Sequence, residues 1–78
     1  MKKIEILGDG CVNCRNFEKN VRQAVAEADV EADVRVTGDP EALADYQILR
    51  LPGLAIDGKP QVQGQVLEVA EIRKLLEE

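Results

Sequence analysis

The only two cysteines of this chain stand two residues apart, as Cys11-Val12-Asn13-Cys14. A short apolar stretch at residues 4–7 and a glycine-containing link precede the pair, and a long amphipathic pattern begins near Val12. This order predicts a strand that runs into a tight turn, and a turn that delivers Cys11 to the first turn of a helix.

The position of the cysteines predicts their reactivity. In a helix, Cys14 lies one turn after Cys11 and on the same face. The N-terminus of a helix carries partial positive charge and N–H groups without acceptors, so it favours a thiolate over a thiol. This predicts Cys11 as the nucleophile and Cys14 as the resolving thiol. Asp9 stands two residues before Cys11, and we expect its negative charge to oppose the thiolate in part.

The acidic composition, without histidine, argues against several functions. The net charge of −5 disfavours nucleic acids and anionic membranes as partners. No imidazole is present for acid–base chemistry or for metal ligation. The sequence contains neither a membrane-spanning apolar run nor a signal-peptide pattern at its start. We therefore expect a cytoplasmic protein, and in that compartment such a cysteine pair is rarely a structural disulfide.

Hydrophobic periodicity predicts alternating strands and helices. The strands are expected at residues 3–7, 32–37, 54–56 and 60–63, and the helices at residues 12–29, 40–46 and 67–77. Asp57-Gly58 predicts a hairpin turn, and Pro60 places the last strand at a sheet edge because proline cannot donate to a ladder. The sequence thus predicts one α/β domain, residues 1–78, of order β-α-β-α-β-β-α, with a four-stranded mixed sheet flanked by three helices.

With these features the chain resembles the thioredoxin-like family, and most of all its very small archaeal and bacterial redox-active disulfide proteins. The resemblance rests on the cysteine pair between strand and helix, the βαβ unit around it, Leu51-Pro52 before the third strand, and Gly64 after the fourth. It implies a thioredoxin-like fold and a thiol–disulfide oxidoreductase that needs no cofactor beyond its disulfide. It also implies disulfide-containing protein substrates, a separate reductase and a monomeric state.

The resemblance also implies a role for each site residue. Cys11 corresponds to the exposed attacking cysteine and Cys14 to the buried resolving one. Pro52 corresponds to the proline beside the disulfide, with a cis bond between Leu51 and Pro52. The backbone of Leu51 would pair with an incoming substrate strand, and Gly64 would keep the far wall of that groove low.

The chain also departs from full-length thioredoxins. Gly10 replaces the tryptophan before the first cysteine, and Val12-Asn13 replaces Gly-Pro between the cysteines. We expect no counterpart of their extra N-terminal strand and helix. Glu5 stands where they hold a buried aspartate, but the alternation around it favours an ordinary outward strand residue. The fold and thiol chemistry tolerate these departures, whereas the reduction potential and substrate range do not carry over.

Two alternatives to the redox hypothesis stay open. Two thiolates can hold a soft ion such as Cu(I), so the pair could belong to a metal carrier. Small ferredoxin-like metal-binding domains also place such a pair after their first strand, but they end in a strand and usually carry Met where this chain has Asp9. A zinc site would need four ligands, whereas one chain supplies two cysteines and no histidine. The third possibility is a thioredoxin-like interaction module with vestigial redox activity.

Overall fold

The computed structural model describes residues 1–8 and 10–77. In that part of the chain, no helix is both long and apolar enough to cross a membrane. The order β-α-β-α-β-β-α is the predicted one, and it differs from the β-α-β-β-α-β order of the ferredoxin-like domains. The elements are β1 (Lys2–Leu7), α1 (Val12–Ala28), β2 (Ala32–Thr37), α2 (Pro40–Asp45), β3 (Gly53–Ile56), β4 (Lys59–Gln63) and α3 (Val69–Glu77).

The four strands form one mixed sheet in the order β2-β1-β3-β4. β1 runs parallel to β2 and antiparallel to β3, and β3 and β4 form an antiparallel hairpin. Asp57 and Gly58 join that hairpin with φ of 52° and 81°, the left-handed conformations that a tight two-residue turn of this kind requires. Pro60 lies in an edge strand, as predicted. The strand that leads into the cysteine pair is therefore central in the sheet.

The main core lies between the sheet and the helices α1 and α3. Ile4 and Ile6 alternate with polar residues along β1, so they share the face that these helices cover. The apolar stripe of α1 meets them with Phe17 and Val21, both fully buried. The other buried members of this core are Ala24, Leu54, Ile56, Leu67, Ile72 and Leu76. Burial on this face fixes how α1 lies on the sheet, and thus where its first turn is.

A smaller core on the opposite face is covered by α2 and the residues that follow it. It contains Leu7, Ala55 and Ile48, with half-buried side chains of α2 packed around them. α2 begins as predicted: the carboxylate of Asp39 accepts the N–H of Glu41 at 3.0 Å. Because Ile48 is anchored here, the segment that leads to Pro52 starts from a fixed point.

The last helix begins two residues later than predicted, at Val69. The carbonyl of Leu67 accepts a hydrogen bond from the Asn20 side chain of α1 at 2.9 Å, which holds that residue against α1. The N–H of Glu68 donates to the Glu71 carboxylate at 3.4 Å, a capping contact of the kind that starts a helix. The buried Leu67 thus belongs to the core and precedes the helix.

Tyr46 ties the segment after α2 to the central strand. Its hydroxyl donates to the carboxylate of Glu5 in β1 at 2.7 Å. This hydrogen bond, together with partial burial and the negative charges of Glu5 and Asp45, raises the pKa of Tyr46 above its ordinary value of 10.0. The resulting stabilisation is fully present below pH 10.0 and is lost as the pH rises through the pKa of Tyr46 in the folded protein.

Removing the Glu5 charge should lower the pKa of Tyr46. Tyr46 is the only tyrosine, so ultraviolet absorbance during an alkaline titration reports its ionisation alone. We expect Glu5→Gln to move the titration toward that of free tyrosine, and Asp45→Asn to move it less, since Glu5 supplies the larger effect.

Glu31→Gln, which removes an exposed carboxylate, serves as the control, and circular dichroism verifies that each variant stays folded. An unchanged titration in Glu5→Gln would show that the hydrogen bond between the two side chains does not govern the tyrosine.

Candidate active site

A disulfide joins Cys11 and Cys14 at the start of α1, with their Cα atoms 5.1 Å apart. Cys11 has an extended backbone and is the N-cap of the helix, where a hydroxyl or carboxylate is more usual. Its Sγ accepts the N–H of Cys14 at 3.0 Å, and its carbonyl accepts the N–H of Arg15 at 3.1 Å. The first sulfur thus lies at the positive end of the helix, as the sequence predicts.

The two sulfurs differ in access. Cys14 is only 3% exposed, because it belongs to the buried stripe that Phe17 continues one turn later. Cys11 is half-buried, and the two residues between the cysteines are exposed, Val12 to 73%. Of the two cysteines, Cys11 is therefore the one more open to solvent.

Gly8 lies where the buried cysteine meets the loop before β3. A Cβ atom at this position would stand 2.8 Å from Cys14 Sγ and 3.2 Å from Leu51 Cδ2. Its φ of +129° also disfavours any side chain. Sequence reasoning placed this glycine in the link before the cysteine pair and missed its role. A glycine at the end of a strand, just before a cysteine pair, is the feature that could have indicated it.

The predicted substrate-binding residues fall beside this point. Leu51 is 44% exposed and Pro52 is buried, and the peptide bond between them is cis. The carbonyl of Pro52 accepts the N–H of Gly64 at 2.8 Å, and Gly64 has a φ of +76°. The structure thus places Leu51 and Cys14 on either side of Gly8, and links Gly64 to Pro52 through a hydrogen bond.

Gln63 is a second residue that sequence reasoning missed. Its Oε1 accepts the N–H groups of Leu49 at 2.7 Å and Arg50 at 3.2 Å. Its Nε2 donates to the carbonyl of Gln47 at 3.3 Å. One side chain from the edge strand therefore holds the loop that leads to Leu51. No local pattern marks it, because its partners are distant in the sequence.

Glu5 does not reach the disulfide through a hydrogen bond in the described structure. It lies on the sheet face opposite to Ile4 and Ile6, as the alternation predicts, and its carboxylate binds Tyr46. The residue whose charge we expect to oppose the thiolate, Asp9, lies outside the described residues. Among residues 1–8 and 10–77, no three cysteine, aspartate, glutamate or histidine side chains come together as a metal site would require.

Nearly the whole chain matches proteins of one family. Residues 2–77 match the family model described as the thioredoxin domain. A thioredoxin of Methanothermobacter thermautotrophicus is 40% identical over 76 residues, which span 97% of this chain and 99% of that protein. A thioredoxin of Methanocaldococcus jannaschii is 32% identical over 76 residues, which span 97% of this chain and 87% of that protein.

A methyl group at Gly8 should destabilise the oxidised protein more than one at Gly10. Both glycines have a positive φ, so each substitution costs backbone strain, but only a Cβ at position 8 also meets other atoms within 4 Å. We expect Gly8→Ala to lose roughly 1–3 kcal/mol more of the free energy of unfolding, as overpacking usually costs. Urea unfolding of both oxidised variants measures the difference, and equal losses would mean that the site relaxes around the methyl group.

Truncation of Gln63 should free the loop before Leu51. In Gln63→Ala the N–H groups of Leu49 and Arg50 lose their acceptor, so we expect both amides to exchange faster with solvent by NMR. The matched control is Gln61→Ala, because that side chain donates only to the nearby Lys59 carbonyl. Slow exchange at both amides in Gln63→Ala would show that the loop is held by other contacts.

Proposed function

Because the chain belongs to the thioredoxin family and is a thiol–disulfide oxidoreductase, we propose that Cys11 and Cys14 exchange electrons with disulfides of partner proteins. One observation carries this proposal. The accessible sulfur of the pair lies at the N-terminus of α1 and accepts a backbone N–H, while the other sulfur is buried one turn further along. This is an arrangement of one attacking and one resolving cysteine.

The environment of Cys11 favours its thiolate once the disulfide is reduced. The N–H of Cys14 is directed at the Cys11 sulfur, and the partial positive charge of a 17-residue helix stands behind it. A negative sulfur gains from both, so reduction of the disulfide leaves Cys11 as the thiol that the helix activates. The buried Cys14 is less open to an incoming disulfide.

The exchange proceeds in two displacements. The Cys11 thiolate attacks one sulfur of a partner disulfide, which forms a mixed disulfide and releases the other partner sulfur as a thiolate. Cys14 then loses its proton and attacks the Cys11 sulfur. The second partner sulfur leaves as a thiolate, and Cys11 and Cys14 are joined. Two electrons pass to the partner, whose disulfide becomes two thiols once protonated. The reverse sequence would oxidise a partner dithiol.

We propose that the partner lies along the loop formed by Leu51, Pro52 and Gly64. Leu51 is exposed and stands next to Cys14 across Gly8, so an extended partner segment paired with its backbone would bring a disulfide to the site. Three exposed apolar side chains each lie two residues from a site residue in the sequence: Val12 from Cys14, Leu49 from Leu51 and Val66 from Gly64. They provide apolar contacts for a partner without fixing its identity.

The proposal also covers the cofactor requirement, the electron donor and the compartment of the protein. Thioredoxins need no cofactor beyond their disulfide. A separate reductase would return Cys11 and Cys14 to the dithiol state after each turnover. We propose the cytoplasm as the compartment, where the pair cycles between the two states, and one domain of residues 1–78 as the working unit.

The test is catalysis of insulin disulfide reduction by dithiothreitol. The wild-type protein should accelerate the reduction, and Cys11→Ser should leave only the rate of dithiothreitol alone, because no attacking sulfur remains. Cys14→Ser, reduced beforehand and mixed with insulin after removal of dithiothreitol, should instead accumulate a mixed disulfide with the substrate through Cys11, since no resolving thiol remains. Asn16→Ser, an exposed change on the same helix, should retain the wild-type rate.

Limiting iodoacetamide separates the roles of the two cysteines. In the reduced protein the less buried thiol at the helix N-terminus should react first, so peptide mapping should find the adduct on Cys11. Preferential labelling of Cys14 would reverse the assignment. A wild-type rate equal to that of dithiothreitol alone would contradict the activity itself.

A further inference from the structure

The edge strand β2 directs a row of backbone groups away from the sheet. Among the described residues it pairs only with β1. The carbonyls of Glu31 and Thr37 accept N–H groups of Lys2 and Gly8, at 3.0 and 2.8 Å. In a parallel ladder alternate residues bond to the neighbouring strand. The N–H and C=O groups at positions 32, 34 and 36 therefore point outward.

The two faces of β2 differ in chemistry. Ala32, Val34 and Val36 are half-buried and pack against the core beneath α1 and α3. Asp33 and Arg35 lie on the other face and form an ion pair of 2.9 Å along the strand, with the Arg35 side chain 75% exposed. A second strand added here would meet apolar side chains on one face and charges on the other.

We propose that this edge pairs antiparallel with β2 of a second copy of the chain, about a twofold axis through Val34. In that register Val34 stands opposite Val34 of the second copy, and Ala32 stands opposite Val36 in both directions. These are the residues with outward N–H and C=O groups, so each pair exchanges two hydrogen bonds. The two sheets become one continuous sheet, and the proposal does not depend on the redox function.

The charges on the other face select this register. A twofold axis through Val34 puts Asp33 opposite Arg35 of the second copy, and Arg35 opposite Asp33. Neighbouring registers of the same hydrogen-bonding type have their axis through Asp33 or through Arg35, and each places like charges directly opposite. Opposite charges across a strand pair stabilise it, and like charges destabilise it. The order Asp-Val-Arg is thus self-complementary in one register alone.

The other sheet edge is less suited to such pairing. β4 contains Pro60, which has no N–H to donate, and its ladder with β3 is irregular between Leu54 and Ala55. Irregularities and prolines of this kind are devices by which proteins block edge-to-edge pairing. β2 keeps a regular register along all six residues, so a second copy would use it.

The geometry leaves both cysteine pairs free. A twofold axis reverses the direction of β2, so the carboxyl ends of the two β1 strands, where the disulfides lie, are at opposite ends of the joined sheet. One strand pair buries less than the ~1,200 Å² at the lower limit of stable interfaces, so the dimer is weak and forms at high concentration. The monomer that the family resemblance implies is then the dilute state.

Amide exchange over a concentration series tests the contact without any substitution. From about 10 μM to about 1 mM, a range in which weak complexes assemble, the amides of Ala32, Val34 and Val36 should gain protection. The amides of Asp33 and Arg35, which already face β1, should not change. Sedimentation over the same range should show the mass rising from that of one chain toward two.

Charge reversal tests the register. Asp33→Arg alone or Arg35→Asp alone places like charges opposite, and we expect either change to weaken dimerisation about tenfold or more. An equimolar mixture of the two variants should associate again, since each supplies the charge that the other needs. The double variant Asp33→Arg/Arg35→Asp should self-associate like the wild type.

The ion pair between Glu18 and Arg22 on the exposed face of α1 provides matched controls. Glu18→Arg and Arg22→Glu change the net charge as much as the two β2 variants do, and should not alter association. Circular dichroism verifies folding. If the protein stays monomeric up to about 1 mM, the proposal is overturned, and the edge of β2 would instead be open to a strand of another protein. Association that ignores the β2 charges, or protection at other amides, overturns it as well.

Discussion

The site depends on one hydrogen bond at the junction of β1 and α1, from the N–H of Cys14 to the sulfur of Cys11. It makes a cysteine the cap of the helix, so the Cys11 sulfur is fixed relative to the helix axis. The axis in turn is fixed by Phe17 and Val21, which are fully buried against the central strands. The difference in access between the two sulfurs is therefore a consequence of core packing.

The other half of the site comes from residues remote in the sequence, held by contacts from two directions. Ile48 is anchored in the small core on the α2 face, and Gln63 binds the backbone of the residues that follow it. The N–H of Gly64 bonds to the carbonyl of Pro52 at the far end of the loop, so contacts hold the loop at both ends. The edge strand thus contributes to the site although it carries no reactive group.

Sequence periodicity predicted the elements well where one apolar face decides them, as in β1, α1 and β2. It placed the start of α3 two residues early, because that start depends on the contact between Asn20 and the carbonyl of Leu67. The cysteine pair could be recognised from spacing and position. The roles of Gly8 and Gln63 could not, because each depends on Leu51 or its neighbours, which only the folded chain brings close.

Asp33 and Arg35 can each form an ion pair in two ways: with each other within one chain, or with the second copy in the proposed dimer. Within one chain it is an exposed contact between residues two apart, and such pairs contribute little to stability. Across a twofold axis the same side chains would face each other on adjacent strands, where opposite charges help to set the register. Both charges are paired in either arrangement, so dimerisation would leave neither side chain without an opposite charge. The ladder of backbone hydrogen bonds and the half-buried Val34 and Val36 would then supply the net gain.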